Sequence, residues 1–216
     1  MRRPFRGRTF VRGSMLVPYV APVVAVTFVW QIMLNPQFGI ANRWGVSFLG
    51  WQHPIPFLSE QTGVFDLFGW NIHVPTALIT VIIFDTWRYF PFAFLFILAR
   101  IQAIPGELEE AARVDGATPL QRFRYIIAPQ LKTVIAVLAV LRFIWTFNKF
   151  DDIYLPTGGS AGTQVVSVKV YQILTSQADI GQSAAQAVVL AVVLVISLGI
   201  YFTFFGRSMD DTGENI

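Results

Sequence analysis

The chain has 216 residues, 54% of them hydrophobic and only 13% charged, with 20 Phe and no Cys. A soluble domain carries about 25% charged residues, so this is the composition of an integral membrane protein. The absence of cysteine excludes disulfides, thiolate metal sites and a Cys nucleophile together. The net charge of +3 would suit nucleic acid, but the placement of the basic residues argues for membrane topology instead.

Residues 1–13 are basic and hold no apolar stretch of their own, so they do not form a signal peptide. They read as a loop between two membrane helices, which predicts that the chain begins within a larger assembly of helices. Four apolar runs follow, each long enough or nearly so for the about 20 residues that cross a bilayer. The first is Met15–Leu34, kinkable at Pro18 and Pro22. The second is Val74–Leu98, interrupted by Asp85, Arg88 and Pro91. The third runs from about Thr133 to Phe147, contains Arg142, and is short enough to be expected to extend past both ends. The fourth, Ala184–Phe205, carries no charge. Between the first and second runs, 35–73 is rich in Pro, Gly and aromatics (Trp44, Phe48, Trp51, Phe57, Phe65, Phe68, Trp70) that suit the headgroup zone. Between the third and fourth, 151–182 contains Pro156-Thr157-Gly158-Gly159-Ser160-Ala161-Gly162 and then an apolar segment, Val165–Leu174. There is no internal repeat.

The basic residues orient these runs. Arg2, Arg3, Arg6, Arg8 and Arg12 precede the first; Arg100, Arg113, Arg122, Arg124 and Lys132 cluster between the second and third; Arg207 follows the fourth. The two other connections hold only Arg43, Lys149 and Lys169. Both termini and the central connection are therefore expected on the cytoplasmic side, with a modest attraction to anionic membrane lipid and no nucleic acid partner.

The central connection is the most informative segment. Pro105 fits the first turn of a helix, and Glu107, Glu109 and Glu110 place negative charge near its positive end. Ala111 and Ala112 let another surface approach the backbone. Gly116 can take the left-handed conformation that stops a helix. Thr118-Pro119-Leu120-Gln121 then reads as an N-cap, a first-turn proline and a capping-box glutamine, opening a second short helix that should end near Pro129. The product is a helix-turn-helix elbow, either an ordinary amphipathic connection or a docking device for a soluble partner.

Glu110-Ala111-Ala112, three residues, Gly116, then Ile126 and Pro129 resemble the EAA loop of the permease subunits of binding-protein-dependent ABC importers. Ala128 departs from the leucine usual before the proline. The likeness extends through Leu16-Val17-Pro18-Tyr19, Asn35-Pro36-Gln37-Phe38-Gly39, Trp87 with Pro91-Phe92, Ile104-Pro105 and Leu155-Pro156-Thr157-Gly158-Gly159, which resemble the maltose-type carbohydrate branch. The resemblance implies an all-α, polytopic transmembrane helix bundle. It makes residues 1–216 one permease domain, aligned with the last four helices of a family that has six or more, with 101–132 as its cytoplasmic coupling loop.

For mechanism, the resemblance implies alternating access driven by a separate ABC ATPase dimer, with a second permease subunit and an external solute-binding protein as the other partners. Glu110, Ala111, Ala112, Asp115, Gly116 and Pro129 would form the ATPase-coupling elbow. The chain has no phosphate loop of the Gly-x-x-x-x-Gly-Lys-Ser/Thr type, so no cofactor is assigned to it, and ATP and Mg would belong to the partner ATPase. The family's sugar site maps onto Asp85, Arg88, Tyr89, Phe92, Trp145, Thr146 and Lys149. Aromatics that stack on sugar rings and polar groups that bond hydroxyls suit such a site. Identities there differ from the maltose site, and the cations with an acid could equally suit a phosphorylated or acidic sugar.

Asp85 and Arg88, three apart on one helix, can also pair with each other, so a satisfied ion pair is as good an account of them as solute contact. His53 and His73 are isolated, and Asp151-Asp152 reads as a solvated or locally paired cluster rather than a metal site. The expected function is a transport subunit in the bacterial or archaeal inner membrane, forming the path for a carbohydrate-type solute and lacking catalysis of its own. The alternatives are an ABC permease for an amino acid or an oxyanion, or a secondary transporter using the buried charges as an ion relay.

Overall fold

The computed structural model describes residues 7–67 and 70–205. Arg2, Arg3, Arg6, Phe68 and Arg207 lie outside the described residues. The fold is all-α apart from one β-hairpin. Among the described residues three helical spans are long and apolar enough to cross a bilayer: Thr76–Ala103, Pro119–Phe147 and Ile180–Thr203. A fourth crossing exists only if Phe10–Val20 and Val23–Met33 count as one broken span.

The first expected run bends at one of its two prolines only. The run divides into α1 (Arg8–Val20) and α2 (Val23–Met33). Pro18 is carried inside α1, whereas Pro22 caps α2 with an extended ψ of 129°. Proline disfavours helical geometry in the residue before it and donates no amide, so the run stops ahead of Pro22 and restarts after it. Pro91 has the opposite outcome: it sits buried inside the unbroken 28-residue helix α4 (Thr76–Ala103). At 1.5 Å per residue that helix is about 42 Å long. The second expected span is therefore one helix that carries Asp85, Arg88 and Pro91 within it.

The third expected helix extends in one direction only. α7 (Ala128–Phe147) begins upstream of Thr133, as expected, but stops at Phe147 instead of running past it. Pro129 does not terminate the short helix before it. Instead α6 (Pro119–Arg122) runs through a five-residue π-helical segment, Phe123–Ile127, directly into α7. Pro129 cannot donate to the carbonyl of Tyr125 four residues back and its ring crowds it. The wider turn, in which the Ala128 amide reaches the Phe123 carbonyl, accommodates both problems without ending the helix.

Two compact units can be distinguished, and each is described by itself. One takes in the chain up to Tyr19, Tyr89–Phe147, and Val193 onward. It holds α5 (Gly106–Val114), α6, the π-helical segment and α7, with Leu98, Ile104, Leu131 and Leu138 buried. Tyr201, from α10 (Ile180–Phe205), donates its phenol to the Ala136 carbonyl at 3.2 Å.

The other unit comprises Val20–Arg88 and Asn148–Val192. α3 (Ile40–Phe48) and the antiparallel hairpin of β1 (Gly63–Leu67) and β2 (Trp70–Val74) form part of the long aromatic connection. The strands pair in a register from Gly63↔Val74 to Leu67↔Trp70. The hairpin is tied to the start of α4, where the Gly63 amide donates to Thr76 Oγ1 and Ala77 donates to the Glu60 carbonyl. Asn42, almost wholly buried, bonds the Ile55 amide and carbonyl at 2.7 and 3.0 Å and so closes the preceding loop. α8 (Asp151–Thr157) and α9 (Val166–Ser176) complete this unit. Gln31 of α2 donates to the Leu155 carbonyl of α8 at 2.9 Å.

Candidate functional site

The elbow forms as its residue types require. Pro105 is the N-cap of α5 rather than a first-turn residue, and Glu107 and Glu109 occupy the first turn beside the helix's positive end. α5 ends in a Schellman arrangement: Ala117 N–H bonds the Ala112 carbonyl and Gly116 N–H the Arg113 carbonyl. Gly116 has φ +74°, and nothing lies within 4 Å of where a Cβ would stand. Its glycine is therefore a matter of backbone conformation, not of space.

Thr118 then closes a full capping box on α6. Its amide donates to Gln121 Oε1 at 2.7 Å, and its hydroxyl accepts from the Gln121 amide. Glu109 joins the two short helices, lying 3.6 Å from Arg113 and 3.9 Å from Arg122. Glu110, Ala111, Asp115, Gly116 and Pro129 are exposed and Ala112 is half-buried. Leu120, Tyr125 and Val114 add large exposed apolar groups around them. The elbow is thus a fixed shape presenting an acid, small residues and uncovered apolar surface.

The membrane residues expected to line the solute path fall into two groups. Asp85, Arg88 and Lys149 belong to one unit and form an ion network there. Lys149 Nζ lies 2.6 Å from Asp85 Oδ1 and 2.7 Å from Asp152 Oδ2, and Arg88 bonds Asp152 Oδ1. Asp152 is the member missed from sequence. It is only 2% exposed and paired with Lys149, so of the two readings expected for Asp151-Asp152 local pairing applies to Asp152, while Asp151 faces out. The signal was available in the Lys149–Asp152 spacing of three. What hid it was the break between α7 and α8, where Phe150 adopts φ −127° and turns Asp152 inward.

Buried charges persist where they are paired, and each of Arg88 and Asp85 has a partner from the α7–α8 segment. Next to this network, Phe150, Tyr154 and Tyr171 pack ring on ring within 4.9–5.1 Å. The Tyr154 phenol is raised above its usual value, chiefly by the charge of Tyr171. The glycine-rich turn after α8 is firmly held: Thr157 and Thr163 hydroxyls meet at 2.6 Å and Gln172 donates to the Gly158 carbonyl.

Tyr89, Phe92, Trp145 and Thr146 belong to the other unit. Phe92 and Trp145 meet edge to face at 5.1 Å, and the Arg142 guanidinium lies 4.2 Å above the Tyr89 ring. Such a contact holds a cation by the ring's quadrupole. Trp145 and Thr146 keep exposed faces. Tyr19 of α1, not among the expected site residues, stands against Tyr89 and Phe92 at 6.0 and 5.8 Å. Among the described residues no group of His, Asp and Glu is arranged to hold a metal ion.

Comparison with known proteins accords with this arrangement. Residues 1–211 match the family described as the binding-protein-dependent transport system inner membrane component. The chain is 34% identical over 192 residues to the inner membrane ABC transporter permease protein YcjO of Escherichia coli, covering 89% of this chain and 60% of that protein. It is 33% identical over 207 residues to the trehalose/maltose transport system permease protein MalF of Thermococcus litoralis, covering 95% and 65%. To the sn-glycerol-3-phosphate transport system permease protein UgpA of Yersinia enterocolitica it is 31% identical over 209 residues, covering 94% and 65%. The chain thus spans about two thirds or less of these relatives' length. In fold it is similar to a chain of a bacterial ABC transporter that imports the acidic polysaccharide alginate, with a TM-score of 0.77 at 24% identity, covering 95% of this chain and 68% of that one. The EAA-type elbow, the apolar helices and the match along nearly the whole chain carry one conclusion: this protein belongs to the family of inner membrane components of binding-protein-dependent transport systems.

Proposed function

We propose that the chain is a permease subunit of an ATP-driven importer and forms part of the translocation path for a carbohydrate-type solute delivered by an external binding protein. The observation that carries this reading is the preformed, exposed elbow at residues 101–132, which opens directly into a membrane-crossing helix. A soluble ATPase dimer gripping that elbow moves α7 with it, since α6, the π-helical segment and α7 form one continuous helical path. Glu110 supplies a polar contact, Ala111 and Ala112 allow close approach, and Asp115, Gly116 and Pro129 hold the shape. ATP and Mg act in the ATPase subunits.

The basic residues favour a cytoplasmic elbow and cytoplasmic termini. The solute assignment draws on the aromatic set at Tyr89, Phe92 and Trp145 and on the relatives named for trehalose, maltose and glycerol phosphate. Asp85, Arg88 and Lys149 form an ion network within their own unit, and Thr146 offers a hydroxyl on α7.

The test is a tagged pull-down from native membranes in mild detergent, read by mass spectrometry. Recovery of an ATPase, a second permease and a binding protein carrying a saccharide or polyol is the expected result. Transport by this chain in liposomes without ATP or a binding protein would overturn it in favour of a secondary transporter. An amino acid or oxyanion in the binding protein would overturn the carbohydrate assignment alone.

A further inference from the structure

We propose that Asp152 makes the translocation path selective for an uncharged solute, by holding Lys149 and Arg88 as neutralised pairs; this rests on the permease reading above and narrows its solute class. In the sequence, Asp85, Arg88 and Lys149 are two cations and one acid, an excess of positive charge that would suit a phosphorylated or acidic sugar. The fold adds a second acid and cancels that excess. Asp152 gives one carboxylate oxygen to each cation, Oδ1 to Arg88 and Oδ2 to Lys149 at 2.7 Å, while Lys149 also reaches Asp85 Oδ1 at 2.6 Å.

Depth makes this balance matter. Asp85 and Arg88 stand about 14 and 18 Å along α4 from Thr76, on a helix about 42 Å long, which puts both within a hydrocarbon layer of about 30 Å. Ionisable groups at that depth face the bundle interior or a solute pathway. An anionic solute passing them needs a cation that is not already neutralised. The Arg88 and Lys149 side chains are only 13% and 8% exposed, and turning either one toward a solute strands Asp152, at 3%, without a counter-charge. The most accessible member of the network is an acid, Asp85 at 21%. What the network turns outward is therefore negative, which repels phosphates and carboxylates but not hydroxyl groups. Arg142, in the other unit, has its guanidinium engaged by the Tyr89 ring. Asp152 is too buried to touch a solute; it is a positioning residue that acts through the two cations.

The first measurement needs no variant. The solute eluted from the binding protein that copurifies with the importer should carry no phosphate, sulfate or carboxylate group by mass spectrometry. A phosphorylated, sulfated or uronic sugar would overturn the proposal and leave the carbohydrate assignment standing. A solute without ionised groups that is neither saccharide nor polyol would do the reverse.

The second measurement isolates Asp152. Equilibrium binding to the complete importer in lipid nanodiscs, without the binding protein, compares two probes: the eluted solute, and the same molecule with a primary hydroxyl oxidised to a carboxylate. The unaltered importer should favour the uncharged probe. Asp152→Asn keeps the side-chain volume and one acceptor but uncovers one positive charge, and should shift the affinity ratio about tenfold toward the oxidised probe. An unchanged ratio, with both affinities falling together, would mark Asp152 as structural only and overturn the proposal. Should Asp152→Asn fail to assemble, Asp85→Asn changes the charge equally at the accessible end of the network and should shift the ratio the same way. An unchanged ratio there would overturn the proposal as well.

Discussion

Gly116 and Thr118 are two residues apart and do different work. Gly116 provides a left-handed backbone at φ +74° and an amide bonded to the Arg113 carbonyl. Gly116→Pro can do neither, since its φ is held near −65°. Uptake should be lost with this variant, and ATPase should no longer copurify, while membrane insertion persists. Gly116→Asn, which tolerates the left-handed region, should retain most activity. Thr118 supplies the cap. Thr118→Ala should cost about 1 kcal/mol of local helix stability, detectable as faster amide exchange over residues 120–122. Both roles were legible in the order Gly-Ala-Thr-Pro-Leu-Gln, because caps and left-handed turns depend on neighbours in sequence. Of Asp152 only the local pairing with Lys149 was legible; its burial against Arg88 comes from a chain reversal that folds the Lys149–Asp152 segment onto α4.

At the scale of elements, the informative feature is how prolines are absorbed. Pro22 breaks a span, Pro91 is contained within one, and Pro129 is accommodated by a π-helical turn. Proline chemistry is the same in each case, and the backbone answers it in three different ways. π-helical turns are frequently found at functional sites, and this one joins the elbow to α7. Pro129→Ala restores the missing amide and removes the need for the wide turn. Its expected effect is reduced uptake with unchanged or slightly raised thermal stability of the purified protein. A second element-scale device is the ion network that fastens α4 to the α7–α8 segment. Asp152→Ala leaves Lys149 and Arg88 without their shared carboxylate and should cost about 3–5 kcal/mol, seen as a lowered midpoint in thermal unfolding and poor recovery from membranes.

For the molecule as a whole, the surface records the solvent. Val188, Val195 and Ile196 of α10 are exposed, as are Ile82 and Ile83 of α4, an arrangement stable where hydrocarbon replaces water. Trp145, by contrast, is an exposed ring within an aromatic group. Trp145→Ala is expected to impair uptake without loss of complex assembly; normal uptake kinetics in that variant would remove it from the path. The sequence by itself determined the class, the apolar spans and the elbow, because hydrophobic length, capping and the EAA pattern are local properties. Only the tertiary structure decided which charges meet, that Asp152 shares the cations of Lys149 and Arg88, and that the Tyr19 ring meets those of Tyr89 and Phe92 on α4. Those pairings join residues as many as 73 positions apart in the numbering, and chain reversals bring them together where no short-range pattern can specify the partner.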